Sequence, residues 1–200
     1  MATQYANGKI VTDGLAVCLD AADRNSYVSG STTWFDLSGN NRNFTLDSGI
    51  TWNSTGYFNL VTNVGATYSG SIPNSTTCTL VFWIRSTELQ SLFWAGNDGN
   101  YYVGAYRVGN KEYWSNAGTP EFFMDAVDTP NIYDYFPNGQ WHMVEFKGVN
   151  LSAWTLHRFN KYTSYMFTNG ALGSISIYNR NLTAGESLQN YNAQKSRFGL

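Results

Sequence analysis

One run of residues constrains the fold more than any other part of the chain. Residues 77–86 read T-C-T-L-V-F-W-I-R-S. Side chains on a strand alternate between faces, so Cys78, Leu80, Phe82 and Ile84 share one face while Val81 and Trp83 occupy the other. A strand that is apolar on both faces must be covered on both, which predicts a central place in a sheet. Further short runs lie at 14–20, 51–60, 92–95, 101–108, 111–114, 140–147, 153–159 and 171–178, between clusters of turn-forming residues. That spacing predicts an all-β sandwich. Ser54-Thr55-Gly56 breaks 51–60 into a hairpin, and Asn97-Asp98-Gly99-Asn100 separates the next pair of strands. Gly109-Asn110 predicts a two-residue hairpin turn, because both residue types tolerate positive φ. Proline cannot donate to a β-ladder. Residues 118–138, with Pro120, Pro130 and Pro137, therefore read as largely loop with one short strand at most. Trp34, Trp52, Phe82, Trp83, Trp141, Ile175 and Ile177 are the core candidates.

The chain end changes character. Thr183-Ala184-Gly185-Glu186 is a capping box, in which the threonine hydroxyl and the glutamate carboxylate each satisfy a free backbone N–H. It predicts a helix over about 184–194 that packs on the sandwich as a lid, with Leu188 and Tyr191 three apart on one face. Residues 1–13 read as a polar N-terminal arm without a strand pattern, and 14–200 as one sandwich domain, which suits a chain of 200 residues. No heptad or fixed-period repeat provides a shaft. No secretory signal precedes the first strand, and the apolar stretch 80–84 is too short to cross a bilayer.

Net charge is −2 and only 13% of residues are charged. Without a basic surplus the chain has nothing to neutralise phosphates, which argues against nucleic acid as a partner. His142 and His157, the two histidines, stand too far apart in sequence for a local zinc motif, and His142 reads as a packed structural residue. Glycan hydrolysis needs two carboxylates flanking one bond. The glutamates Glu88, Glu112, Glu121, Glu145 and Glu186 are scattered, and Asp125 and Asp128 fall in the irregular segment, so the expectation is a protein without enzymatic activity. Asp20, Asp23, Asp36 and Asn40 offer oxygen ligands that suit calcium. The alternative is that these side chains cap local turns. Cys18 and Cys78 read as buried free thiols rather than a disulfide. Tyr101, Tyr102, Tyr106, Tyr113 and Trp114 cluster around two hairpins, either as a platform for stacking sugars or as cross-strand packing.

Three segments resemble the laminin-G-like branch of the concanavalin A-like sandwich superfamily. The first runs from Ile10-Val11-Thr12-Asp13-Gly14-Leu15 through Leu19-Asp20-Ala21-Ala22 and Ser26-Tyr27 to Trp34-Phe35-Asp36-Leu37-Ser38-Gly39-Asn40. The second is Gly139-Gln140-Trp141-His142-Met143-Val144. The third runs from Ile177-Tyr178-Asn179-Arg180 to Arg197-Phe198-Gly199-Leu200. The resemblance implies a jelly-roll-like sandwich of two antiparallel sheets with a short C-terminal helix. The combination also looks like stand-alone domains among virion structural proteins of tailed bacteriophages. It implies a non-enzymatic decoration protein, assembled in the host cytoplasm and displayed on the outer surface of the virion, with the major capsid protein as partner. Glycans and further copies of the chain are additional partners to consider; membrane insertion and a required cofactor are not expected. A carbohydrate-binding adhesin or a tail-associated receptor-binding domain is the alternative. In the decoration reading, Phe122, Phe123 and Tyr135 and the arm 1–9 are the attachment candidates.

Overall fold

β9 (Cys78–Ser86) is paired along its length on both sides. Its partners are β15 (Trp141–Val149) and β17 (Gly170–Tyr178), both antiparallel. The computed structural model describes residues 4–5, 8–86, 92–97, 101–106, 111–128, 139–160 and 170–200. Outward from β15 lie β13 (Gly118–Met124) and β14 (Val127–Asp128). The long strand β17 is flanked along one half by β3 (Leu15–Asp20) and along the other by β7 (Tyr57–Leu60), which β6 (Thr51–Asn53) follows. The facing sheet has the order β12 (Lys111–Ser115), β11 (Tyr102–Tyr106), β10 (Leu92–Ala95), β16 (Leu156–Phe159), β8 (Ala66–Ser69), β5 (Phe44–Leu46), β4 (Thr33–Trp34). β1 (Gln4–Tyr5) and β2 (Gly8–Lys9) form a separate two-stranded ribbon.

The alternation in β9 explains the two cores. Leu80, Phe82 and Ile84 point between the sheets and join Trp34, Phe44 and Phe58 in the main core. Val81 and Trp83 point out of the sheet, where Met143, Tyr178 and Leu182 surround them. Over this outer face lies α1 (Ala184–Gln194), followed by a short 3-10 helix, Lys195–Phe198. The Thr183 capping box forms, and Arg180 clamps the same Glu186 with two bonds of 2.9 and 2.6 Å. That guanidinium, with the Thr183 backbone, holds the Glu186 carboxyl down at about 2.

α1 docks only in part by its predicted apolar face: Tyr191 stacks on Trp83 at 5.9 Å, but its companion does not follow. Leu188 is 51% exposed, and the buried positions are Ser187, Asn190, Ala193 and Gln194. Hydrogen bonds hold Asn190 and Gln194. Trp83 Nε1 donates to Gln194 Oε1 at 2.7 Å, and the Val11 amide donates to Asn190 Oδ1 at 2.8 Å. Tyr178 donates its hydroxyl hydrogen to the Val11 carbonyl and accepts from Asn190 Nδ2. Phe198 completes the cover by stacking on Trp83 at 4.3 Å. Gly173 leaves room for it, since a Cβ there would lie 2.5 Å from the Phe198 ring.

Four further expectations are corrected. The segment 118–138 contains β13 and β14; Pro120 is tolerated because the β13–β15 register shifts between Gly118 and Glu121, a bulge that spares the missing N–H. Trp52 and Trp141 are half-buried rather than central. Tyr106 pairs with Lys111, so the hairpin register differs from one that places the turn at Gly109-Asn110; those two residues lie outside the described residues. The N-terminal arm contains a β-pair, and Ile10 and Val11 are already buried. Cys18 and Cys78 are buried and in no disulfide.

Candidate functional site

Where β3 ends, the backbone turns under tight local control. The Asp20 amide donates to Ser26 Oγ, whose hydroxyl donates in turn to the Phe35 carbonyl. Asp20 Oδ1 accepts from the Ala22 amide and from Arg197 Nη1. Arg197 also reaches the Gly56 carbonyl at 2.7 Å, tying this loop to the β6–β7 hairpin. The hairpin turn is closed by Asn53, whose Oδ1 accepts from the Thr55 amide and hydroxyl. Gly56 is required twice over. Its φ is +93°, and a Cβ would lie 2.4 Å from the Ala22 Cβ.

Between the two walls lies a cleft of about 380 Å³. Trp52 and Tyr27 line it, with ring centroids 5.8 Å apart. Trp52 Nε1 donates to the Ala21 carbonyl at 2.9 Å, which fixes the indole. Tyr27 is held from behind by an edge contact to Phe58 at 4.8 Å. Val28, 60% exposed, and the hydroxyl residues Ser29, Ser54 and Thr55 also line the cleft. Arg24 is the charged residue among the lining side chains; it is exposed and bonds to no other described side chain or backbone group. The arrangement combines rigid aromatic and aliphatic surface with hydroxyls and one cation. Such a set can bind a small polar ligand that also has an apolar face.

Those residues predicted from sequence whose side chains are described fall elsewhere. Tyr101 is half-buried and packs edge-on against Trp154 at 6.1 Å, and Tyr102 is half-buried beside it. The side chains of Tyr106, Tyr113 and Trp114 lie outside the described residues, as does Tyr135. Phe122 cannot serve as an attachment contact. It is 2% exposed and packs on Phe146 in the main core, because alternation along β13 turns it inward. Phe123 faces the other way, with Lys147 Nζ 4.1 Å from its ring centroid. The calcium candidates are engaged in local bonds: Asp36 Oδ1 accepts from the Cys18 and Ser38 amides, its Oδ2 from the Arg42 amide, and Asp23 Oδ1 from Asn25. His142 Nδ1 lies 2.7 Å from Asp125 Oδ2, as a packed histidine should. His157 is buried between Tyr68 and Trp154, and burial pushes its pKa down to about 4. The cleft itself was missed from sequence because Trp52 read as core; the legible signal was Ser54-Thr55-Gly56 beside it.

No family model matches the chain, and no curated protein matches it in sequence. Solved structures do share its architecture. A mutant of Trypanosoma rangeli sialidase displaying trans-sialidase activity superposes with a TM-score of 0.60 at 13% identity, over 96% of this chain and 35% of that one. The same sialidase in complex with 2,3-difluorosialic acid gives 0.58 at 11% identity, over 98% and 36%. The receptor binding domain of botulinum neurotoxin C/D mosaic serotype gives 0.58 at 11% identity, over 92% and 52%. This chain therefore spans about a third of the sialidases and about half of the toxin domain. At these identities the likeness establishes an all-β sandwich fold and nothing finer.

Proposed function

We propose that this sandwich is a non-catalytic binding domain that takes a sugar in the cleft between the 21–29 loop and the β6–β7 turn. One observation carries the reading: Trp52 and Tyr27, each locked by contacts behind it, line a small cleft together with hydroxyl side chains. Sugar rings present C–H faces to aromatics and hydroxyls to polar rims, and rigid aromatics bind them at low entropic cost. The structural neighbours include a receptor-binding domain and an enzyme of sialic acid chemistry, which is consistent with a glycan role. A glycan array with the purified protein tests it, followed by titration of any hit against Trp52→Ala and Ser54→Trp. The second variant fills the cleft mouth from an exposed position and leaves the core alone. Loss of binding in both folded variants supports the cleft. Unchanged binding in Ser54→Trp, or no hit on the array, rules it out.

The resemblance of the two chain ends and the Gly139–Val144 segment to tailed-phage structural proteins supports a setting for this domain, the outer surface of a virion docked on the capsid. Mass spectrometry of purified particles checks it: hundreds of copies fit decoration, a handful fit a tail component, and none refutes the setting. Phe123, Tyr135 and the N-terminal arm are the attachment candidates; Phe122, buried in the core, is not one.

A further inference from the structure

The geometry points to a carboxylate-bearing sugar as the ligand of this cleft, with Arg24 as the group that selects it. The inference rests on the sugar-binding reading above. Three observations carry it. First, Arg24 is the charged side chain that lines the cleft, and it has no partner among the described residues. Neither nearby carboxylate lines the cleft: Asp20 is ion-paired to Arg197 at 2.6 Å, and Asp23 Oδ1 accepts from the Asn25 amide and side chain. Second, Arg24 and Trp52 line the same cleft of about 380 Å³, and the Trp52 indole is fixed by its bond to the Ala21 carbonyl. Third, guanidinium offers paired N–H donors that match a carboxylate, which a neutral hydroxyl cannot use in the same way.

A neutral sugar would leave the Arg24 charge to water. A uronate or other acidic sugar would add a charge-assisted pair to the aromatic contact. Such a pair contributes about tenfold in affinity or more.

The test uses matched oligosaccharides in which the carboxylate is either free or esterified: oligogalacturonate and its methyl ester, a hyaluronan tetrasaccharide and its methyl ester, and a sialylated trisaccharide and its sialic acid methyl ester. Binding is measured by calorimetry with wild type, Arg24→Gln, Arg24→Lys and Ser54→Trp. The expected result is that the acidic member of at least one pair binds about tenfold more tightly. Arg24→Gln erases that difference, Arg24→Lys keeps part of it, and Ser54→Trp abolishes binding of both members. Because Arg24 is exposed and unbonded, its variants should melt with the wild type. If both members bind equally and Ser54→Trp still blocks them, the acidic selectivity is refuted while the cleft stands. If no pair binds, or Ser54→Trp changes nothing, the cleft reading falls and this inference falls with it.

Discussion

Glu145 sits where an ionised carboxylate should not. It lies on β15 opposite Val81, fully buried, and neither carboxylate oxygen has a hydrogen-bond partner among the described residues. Burial pushes its pKa up from 4.5; the Lys147 charge and the nearby Ser187 hydroxyl oppose that shift without overcoming it. The folded chain therefore holds this proton more tightly than the unfolded chain. The resulting stabilisation is complete below about 4.5 and is lost as pH rises through the folded value, at about 1.4 kcal/mol per pH unit. An unpaired buried polar group costs a further 1–3 kcal/mol or so. Replacing it with Met, which has a similar length, removes both penalties. We expect Glu145→Met to be more stable than wild type by about 1–3 kcal/mol near neutral pH. Glu145→Gln should show the same flattened pH profile with a smaller gain, since its amide stays unpaired. Urea unfolding followed by tryptophan fluorescence, between about pH 4.5 and about pH 8, reads both quantities. If Glu145→Met is less stable than wild type near neutral pH, or the pH slope persists in both variants, the reasoning is refuted.

His157 works in the opposite direction. Its folded pKa is down at about 4 against 6.5 unfolded, so stability falls as pH drops through that window, and His157→Phe should flatten the acid limb of a melting-temperature profile. Gly185 has open space around its Cα within α1, so Gly185→Ala should raise stability by about 0.5–1 kcal/mol in chemical denaturation. Phe198→Ala removes the ring that stacks on Trp83 and packs at a tilt against Trp141, and should cost about 2–3 kcal/mol, with a shift in tryptophan emission.

Strong periodicity made most of the sandwich legible. The two-faced run at 78–86 gave the central strand, and the capping box at Thr183 gave the helix start, because both signals are local. The helix face was legible only in part, since Tyr191 does stack on Trp83. Leu188 looked like the anchor, but the surface below offers Trp83 Nε1, the Val11 amide and the Tyr178 hydroxyl, which need polar partners. Only the fold brings those groups together, across more than a hundred residues in each case except Tyr178. Pro120 misled for the opposite reason, since a local rule was relieved by a bulge that sequence does not reveal. The cleft depends on Ala22 meeting Gly56 and on Trp52 bonding to Ala21, and such pairings carry no spacing signature.

The two thiols give the molecule a pair of built-in clocks. Cys78 belongs to the main core, and burial pushes its pKa up to about 12, so it reacts with an alkylating reagent only after the sandwich opens. Cys18 lies in a different layer, with Ile10 and with Ala193 of α1. Its labelling rate therefore reports the lifting of the helix and the N-terminal segment, a smaller excursion than global unfolding. Mass-resolved labelling separates the two rates in one sample. Cys18 should label first, and the ratio of the two rates measures how independently the cover moves from the body beneath it.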